Sequence, residues 1–182
     1  MRWQAERLKS ALAIVALLGV GVICRAGEPS REYKVKAAFI YNFARFIEWP
    51  PEVFPDSQAP FVIAVVGADP FDGALEQVET GKKIGARRVE IRHFDSIDNI
   101  GPCQILFVPS TDDVSEARII QKIGNGHVLS VGESETFAAN GGTLRFFSED
   151  NKIRFEVNTD AADRAKLQIS SKLLNLARIF KK

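Results

Sequence analysis

FVIAVVGADPF, residues 61–71, is the stretch whose reading decides the fold. Its first six residues are apolar without a break and rich in Val and Ile, which fits a strand covered on both faces. Gly67 and Ala68 turn the chain, and Asp69 with Pro70 reads as a helix N-cap followed by a proline in the first turn. Working outward, further strands are expected over 88–94, 104–108 and 127–131, with helices over 70–80 and 115–123 between them. That alternation implies right-handed crossovers, a mostly parallel central sheet and helices on both faces. Residues 143–148 and 153–158 break the pattern. They are joined by Glu149, Asp150, Asn151 and Lys152 and predict an antiparallel hairpin at one edge. After Ser170 or Ser171 as an N-cap, Leu173, Leu176, Ala177 and Phe180 recur at helical spacing, so a final amphipathic helix is expected. The fold class is a single-domain α/β protein.

Upstream, residues 33–50 read YKVKAAFIYNFARFIEWP and hold six aromatic side chains. On a helix, Val35, Phe39, Ile40, Phe43, Phe46 and Ile47 share one arc, the pattern of an element docked on a core. The other face carries Ala37, Ala38, Tyr41, Ala44, Arg45 and Glu48, with fewer charges than an ordinary solvated face. Two readings stay open. Either this face receives a second protein, or the helix is sandwiched between the sheet and the last helix and Trp49, beside Pro50 and Pro51, caps its end.

The N-terminus sets the compartment. Arg2, Arg7 and Lys9 precede an apolar run over 11–23 and then Cys24, Arg25 and Ala26, which reads as a signal peptide over 1–26, cleaved after Ala26. The run falls short of the roughly 20 residues that span a bilayer, so no membrane insertion is expected after cleavage. The mature domain is then 27–182 and periplasmic. The leader carries four of the 24 basic residues and one of the 23 acidic ones, leaving 20 against 22. Without a basic block, nucleic acid is excluded as a partner. Cys103 becomes the only thiol, so no internal disulfide can form.

The search for chemistry returns little. Gly67 and Asp69 at one strand end, with Gly132 and Ser134 at another, make a candidate ligand loop at the carboxyl ends of the strands. A G-x-G-x-x-G pattern is missing, and the capping roles of Asp69 and Pro70 explain the segment without a ligand. Ser134 follows Gly132 and Glu133, but Thr136 stands where a nucleophile elbow needs glycine. Neither His93 nor His127 has an acidic or histidine partner at ligand spacing, so no metal site and no histidine-based triad is expected. The pairs Asp112 with Asp113 and Glu149 with Asp150 fall in loops or caps. No catalytic residue and no cofactor is expected.

Two long segments carry a resemblance. VKAAFIYNFARFIEWP near the mature N-terminus and DNKIRFEVNTDAADRAKLQISSKLLNLARI near the C-terminus, with VIAVVGADPF between them, resemble the YfiR-like family of exported bacterial proteins. The resemblance implies a periplasmic α/β domain with no activity of its own. Such a domain binds the periplasmic sensor region of a membrane-anchored diguanylate cyclase, holds it inactive and so lowers cyclic di-GMP, the signal behind biofilm regulation. It also implies a homodimer. A redox input through an internal disulfide, known in the family, has no counterpart here. The family supplies no interaction residues, so these are read from the chain itself: Tyr41, Arg45, Glu48 and Trp49 on the first helix, then Lys172 and Asn175 on the last. The sequence leaves the target open among a cyclase, a sensor kinase and an outer-membrane lipoprotein. The alternative function is a periplasmic small-ligand sensor or carrier using the loop at Gly67, Asp69, Gly132 and Ser134.

Overall fold

The structure, a computed structural model, describes residues 30–110, 113–124 and 126–181. The expected signal peptide and Asp112 lie outside them. Helix α1 (Arg31–Phe46) opens on Ser30, whose hydroxyl accepts from the Tyr33 amide. It ends where Ile47 turns extended ahead of Pro50 and Pro51. Strand β1 (Ile47–Glu48) follows, then β2 (Phe61–Val66), α2 (Ala74–Glu79), β3 (Lys83–Ile84), β4 (Arg87–Phe94), β5 (Ile105–Val108), α3 (Asp113–Ile123) and β6 (Leu129–Gly132). The chain closes with β7 (Leu144–Glu149), β8 (Lys152–Val157), α4 (Thr159–Arg164), β9 (Gln168–Ile169), α5 (Ser171–Leu174) and β10 (Arg178–Ile179).

Eight strands form one sheet in the order β10-β8-β7-β6-β5-β2-β4-β3. Strand β2 lies parallel between β4 and β5, and β6 and β7 continue the parallel run. All six residues of β2 are buried, as an apolar run covered on both faces requires. Alternate residues feed two cores. Ile63, Val65, Ile105 and Phe107 pack under α1 and α2, while Val62, Ala64, Leu106 and Val108 pack against Ile119 of α3 and Phe137. The expected hairpin is β7 with β8, and its turn is tighter than the expected tetrad: Glu149 already pairs with Lys152. Asp150 and Asn151 make the turn alone, at φ 51° and 57°, a left-handed pair that these two residue types tolerate best.

Two expectations are corrected. The buried face of α1 is Lys36, Ala37, Ile40, Phe43 and Ala44, continued by Ile47. At 100° per residue this arc is turned by roughly 70° from the one predicted by the spacing of the large apolar residues. Val35 and Phe46, expected in the core, are 39% and 37% exposed. Ala37 and Ala44, expected outside, are buried because the helix is wedged between the sheet and its neighbour α2, where small side chains permit close approach. Phe43 anchors the contact, with ring centroids 5.7 Å from Phe146 and 5.0 Å from Phe155.

The expected final helix lasts only from Ser171 to Leu174. Residues Arg178 and Ile179 instead pair in parallel with Glu156 and Val157 of β8, and the Phe180 amide donates to Val157 O at 2.8 Å. An open strand edge with unpaired backbone groups outbid a helix of one more turn. Leu176, predicted on the apolar stripe, is 71% exposed. Strands β1 and β9 form a separate antiparallel pair that ties the end of α1 to the start of α5, helped by the Ser170 amide bonding Phe46 O at 2.9 Å.

Candidate functional site

The small sheet β1–β9 brings the ends of two helices together. Between them runs a groove of about 380 Å³, lined by Arg45, Phe46, Glu48, Ile169 and Lys172 among others. Arg45, Glu48 and Lys172, far apart in sequence and all expected to bind a partner, meet here and are exposed. Phe46 joins them because of the rotation of α1. Its apolar spacing with Val35, Phe39, Ile40 and Phe43 predicts a core position, and only the small residues Ala37 and Ala44 on the other face hint otherwise.

The other expected partner residues sit elsewhere. Tyr41 is half-buried, and its hydroxyl donates to Lys83 O of β3 at 3.2 Å. Its ring carries the Lys82 ammonium at 4.8 Å from the centroid and the Arg45 guanidinium at 6.0 Å. Trp49 donates from Nε1 to Gln104 O at 3.2 Å and packs edge-on against Phe61, centroids 4.9 Å apart. It therefore tethers the chain after α1 to the sheet while bordering a separate hollow with Phe54 and Ile84. Asn175 is exposed at the C-cap of α5 and does not line the groove.

At the carboxyl ends of the strands the connections diverge. From β2 the chain crosses through α2 to β4 over one face, and from β5 through α3 to β6 over the other. Adjacent strands with opposed crossovers leave a crevice, the position where open α/β sheets bind ligands. It measures about 310 Å³ and is lined by Val66, Gly67, Ala68, Ser96 and Ser110 among others. Gly67 adopts φ 80°, which permits the sharp exit from β2. The expected ligand loop does not assemble around this crevice. Gly132 lies beneath Phe137, where a Cβ would come within 2.3 Å of the ring. Ser134 donates to the buried Glu116, which also accepts from Asn140 at 3.0 Å. Asp69 turns away from the crevice toward His93.

Two polar clusters escaped the sequence reading. Lys36 is buried on α1 and ion-paired with Glu133, just beyond β6, and with Glu32 at 2.5 Å. Tyr33 donates to Glu133 Oε1 at 3.0 Å. Burial first, and then the Glu133 charge, push the Tyr33 phenol well above its ordinary range. Only the i,i+4 spacing of Glu32 and Lys36 gave a sign of this in sequence. The second cluster is His93, whose Nε2 lies 2.8 Å from Glu76 Oε1 and whose Nδ1 lies 3.7 Å from Asp69 Oδ2. Sequence spacing offers His93 no acidic partner; crossover folding supplies both carboxylates.

The remaining candidates for chemistry are held in structural roles. His127 Nδ1 contacts Ala165 O at 3.0 Å. Glu149 pairs with Arg178 at 2.5 Å. Cys103 is buried, and desolvation pushes its thiol up to about 12, so the nucleophilic thiolate is suppressed. Among the described residues no helix is long and apolar enough to cross a membrane.

No curated protein sequence matches the chain. A solved conserved domain protein from Vibrio cholerae matches at TM-score 0.50 and 10% identity, over 82% of this chain and 60% of that one. The ABC domain from Streptococcus pneumoniae, solved in complex with L-Trp, matches at TM-score 0.46 and 12% identity, over 66% of this chain and 55% of that one. The chain thus spans little more than half of either structure, and these likenesses concern the fold alone. The family comparison reaches further: the model described as YfiR/HmsC-like (DUF4154) matches residues 33–178, from the third residue of α1 to the first of β10. A match over nearly the whole described fold makes the chain a member of the YfiR/HmsC-like family.

Proposed function

We propose that this protein is a periplasmic regulator that binds the periplasmic sensor region of a membrane-anchored diguanylate cyclase and holds it inactive, lowering cyclic di-GMP. Family membership over residues 33–178 is the observation that carries this reading, and it points to a regulator rather than an enzyme. The groove at the end of α1 supplies the contact surface. It combines an arginine, a lysine, a glutamate and a half-exposed phenylalanine on a frame fixed by β1 and β9, and aromatic and arginine side chains dominate binding energy at interfaces. Restraint requires differential binding, because a protein with equal affinity for active and inactive sensor shifts neither population. Export through cleavage after Ala26 and self-association into a homodimer are part of the same reading. Deleting the gene tests it: cellular cyclic di-GMP rises, and restored expression lowers it again. Unchanged cyclic di-GMP in the deletion strain removes the proposal.

A second reading is a periplasmic small-ligand sensor or carrier. The crevice between the ends of β2 and β5, lined by Gly67 and Ala68, favours it. A thermal-shift screen of metabolites separates the two, since a hit abolished by Ala68→Trp and kept by Arg45→Glu supports the ligand reading.

A further inference from the structure

We infer that Asp69, Glu76 and His93 form a binding site for one divalent transition-metal ion of the Zn²⁺ class. The three residues come from different elements. Asp69 lies in the loop leaving β2, Glu76 in the first turn of α2, and His93 near the end of β4, beside Val65 of β2. One ligand-type atom from each lies within 4.8 Å of the others. Two carboxylates and an imidazole are an O/N donor set of intermediate softness, suited to Zn²⁺ and its neighbours rather than to Ca²⁺, which takes six to eight oxygens.

Two further observations separate this cluster from an ordinary surface ion pair. Asp69 is already oriented: its Oδ1 accepts from the Phe71 amide at 2.9 Å, which leaves Oδ2 directed to the imidazole. Glu76 is only half satisfied. Its Oε1 takes the His93 contact, while Oε2 is closed off from solvent and has no hydrogen-bond partner among the described residues, although the side chain as a whole is partly exposed. A sealed carboxylate oxygen without a partner is costly, and one histidine cannot serve both oxygens. A cation placed among the three groups can.

Side-chain rotation brings the three groups into a binding arrangement. Tetrahedral Zn²⁺ with N and O ligands near 2.0–2.1 Å places donor atoms about 3.3 Å apart. One imidazole nitrogen serves one ion, and here Glu76 faces Nε2 at 2.8 Å whereas Asp69 faces Nδ1 at 3.7 Å. One donor atom from each residue lies within 4.8 Å of the others, so a carboxylate has to swing toward the ligating nitrogen. His93 is partly exposed, which leaves an entry path and room for water as a fourth ligand. Bound there, the ion clamps α2 and the β2 loop onto β4.

The test is isothermal titration of chelator-stripped, tag-free protein with ZnCl₂, alongside its thermal unfolding with and without Zn²⁺. One ion per chain and a raised Tm are expected, with no response to CaCl₂. Loss of a direct ligand has to weaken binding by more than the about 10–100-fold that outer-shell losses cost, so both His93→Ala and Glu76→Gln are expected beyond that range. Glu76→Gln keeps the side-chain shape and carries the test if His93→Ala fails to fold. No stoichiometric Zn²⁺ binding, or unchanged affinity in folded Glu76→Gln protein, overturns the proposal.

Discussion

The two ends of α1 face opposite environments. Its first turns are bolted inward: Tyr33 and Lys36 converge on Glu133, and Ala37 and Ile40 are fully buried. Its last turn does the reverse, leaving Arg45 and Phe46 exposed over a groove that Lys172 completes. Both ends use charged and aromatic residues, so composition does not separate them. What separates them is satisfaction. At the first end Glu32, Tyr33 and Lys36 have partners inside the chain, whereas at the last end Arg45 reaches, among the described residues, only a distant ring.

Mutations at the two ends ought therefore to differ in kind. The largest loss of stability is expected midway along the helix, where Phe43→Ala empties the contact with Phe146 and Phe155 and costs about 3–5 kcal/mol in urea unfolding, followed through Trp49 fluorescence. A cost below about 1 kcal/mol would mean that α1 is not the keystone of this core. Next, Lys36→Met strands the Glu133 carboxylate and is expected to cost about 3 kcal/mol, because a buried ion missing its partner is worse than no pair at all. A neutral result would make the inward end no more structural than the outward one.

A smaller signal comes from pH. The fold favours the neutral Tyr33 phenol, so its contribution is complete below the ordinary tyrosine value near 10 and is lost as pH climbs beyond it. In Tyr41→Phe protein, Tyr33 is the only tyrosine, and its 295 nm absorbance is expected to stay flat at pH 10–11 until the chain unfolds. Ionisation near 10 in the folded protein would contradict the buried cluster. At the far end of the scale, Arg45→Glu with Lys172→Glu changes exposed charges and is expected to shift stability by no more than about 0.5 kcal/mol.

Much of the architecture was legible because it rests on local chemistry. The run FVIAVV is a strand wherever both faces are covered, and Asp150-Asn151 suits the left-handed turn it makes. Three features were illegible for physical reasons. The rotation of α1 depends on how closely α2 approaches, which side-chain size on one helix does not reveal. Strand β10 exists because β8 offers an open edge, a fact of tertiary assembly. The partners of His93 are distant in sequence, Glu76 by 17 positions, and meet only through the crossover between β2 and β4. Of the expected interaction residues, Arg45, Glu48 and Lys172 converge, because the β1–β9 pair joins two helix ends by register that no single segment encodes.

The most direct test of the account is cyclic di-GMP in cells whose only copy of the gene carries Arg45→Glu and Lys172→Glu, with the exported protein quantified alongside. The account predicts cyclic di-GMP raised to the level of the deletion strain at normal protein abundance and Tm. Wild-type cyclic di-GMP in that strain, with the gene deletion itself raising it, would contradict the assignment of the groove as the regulatory surface.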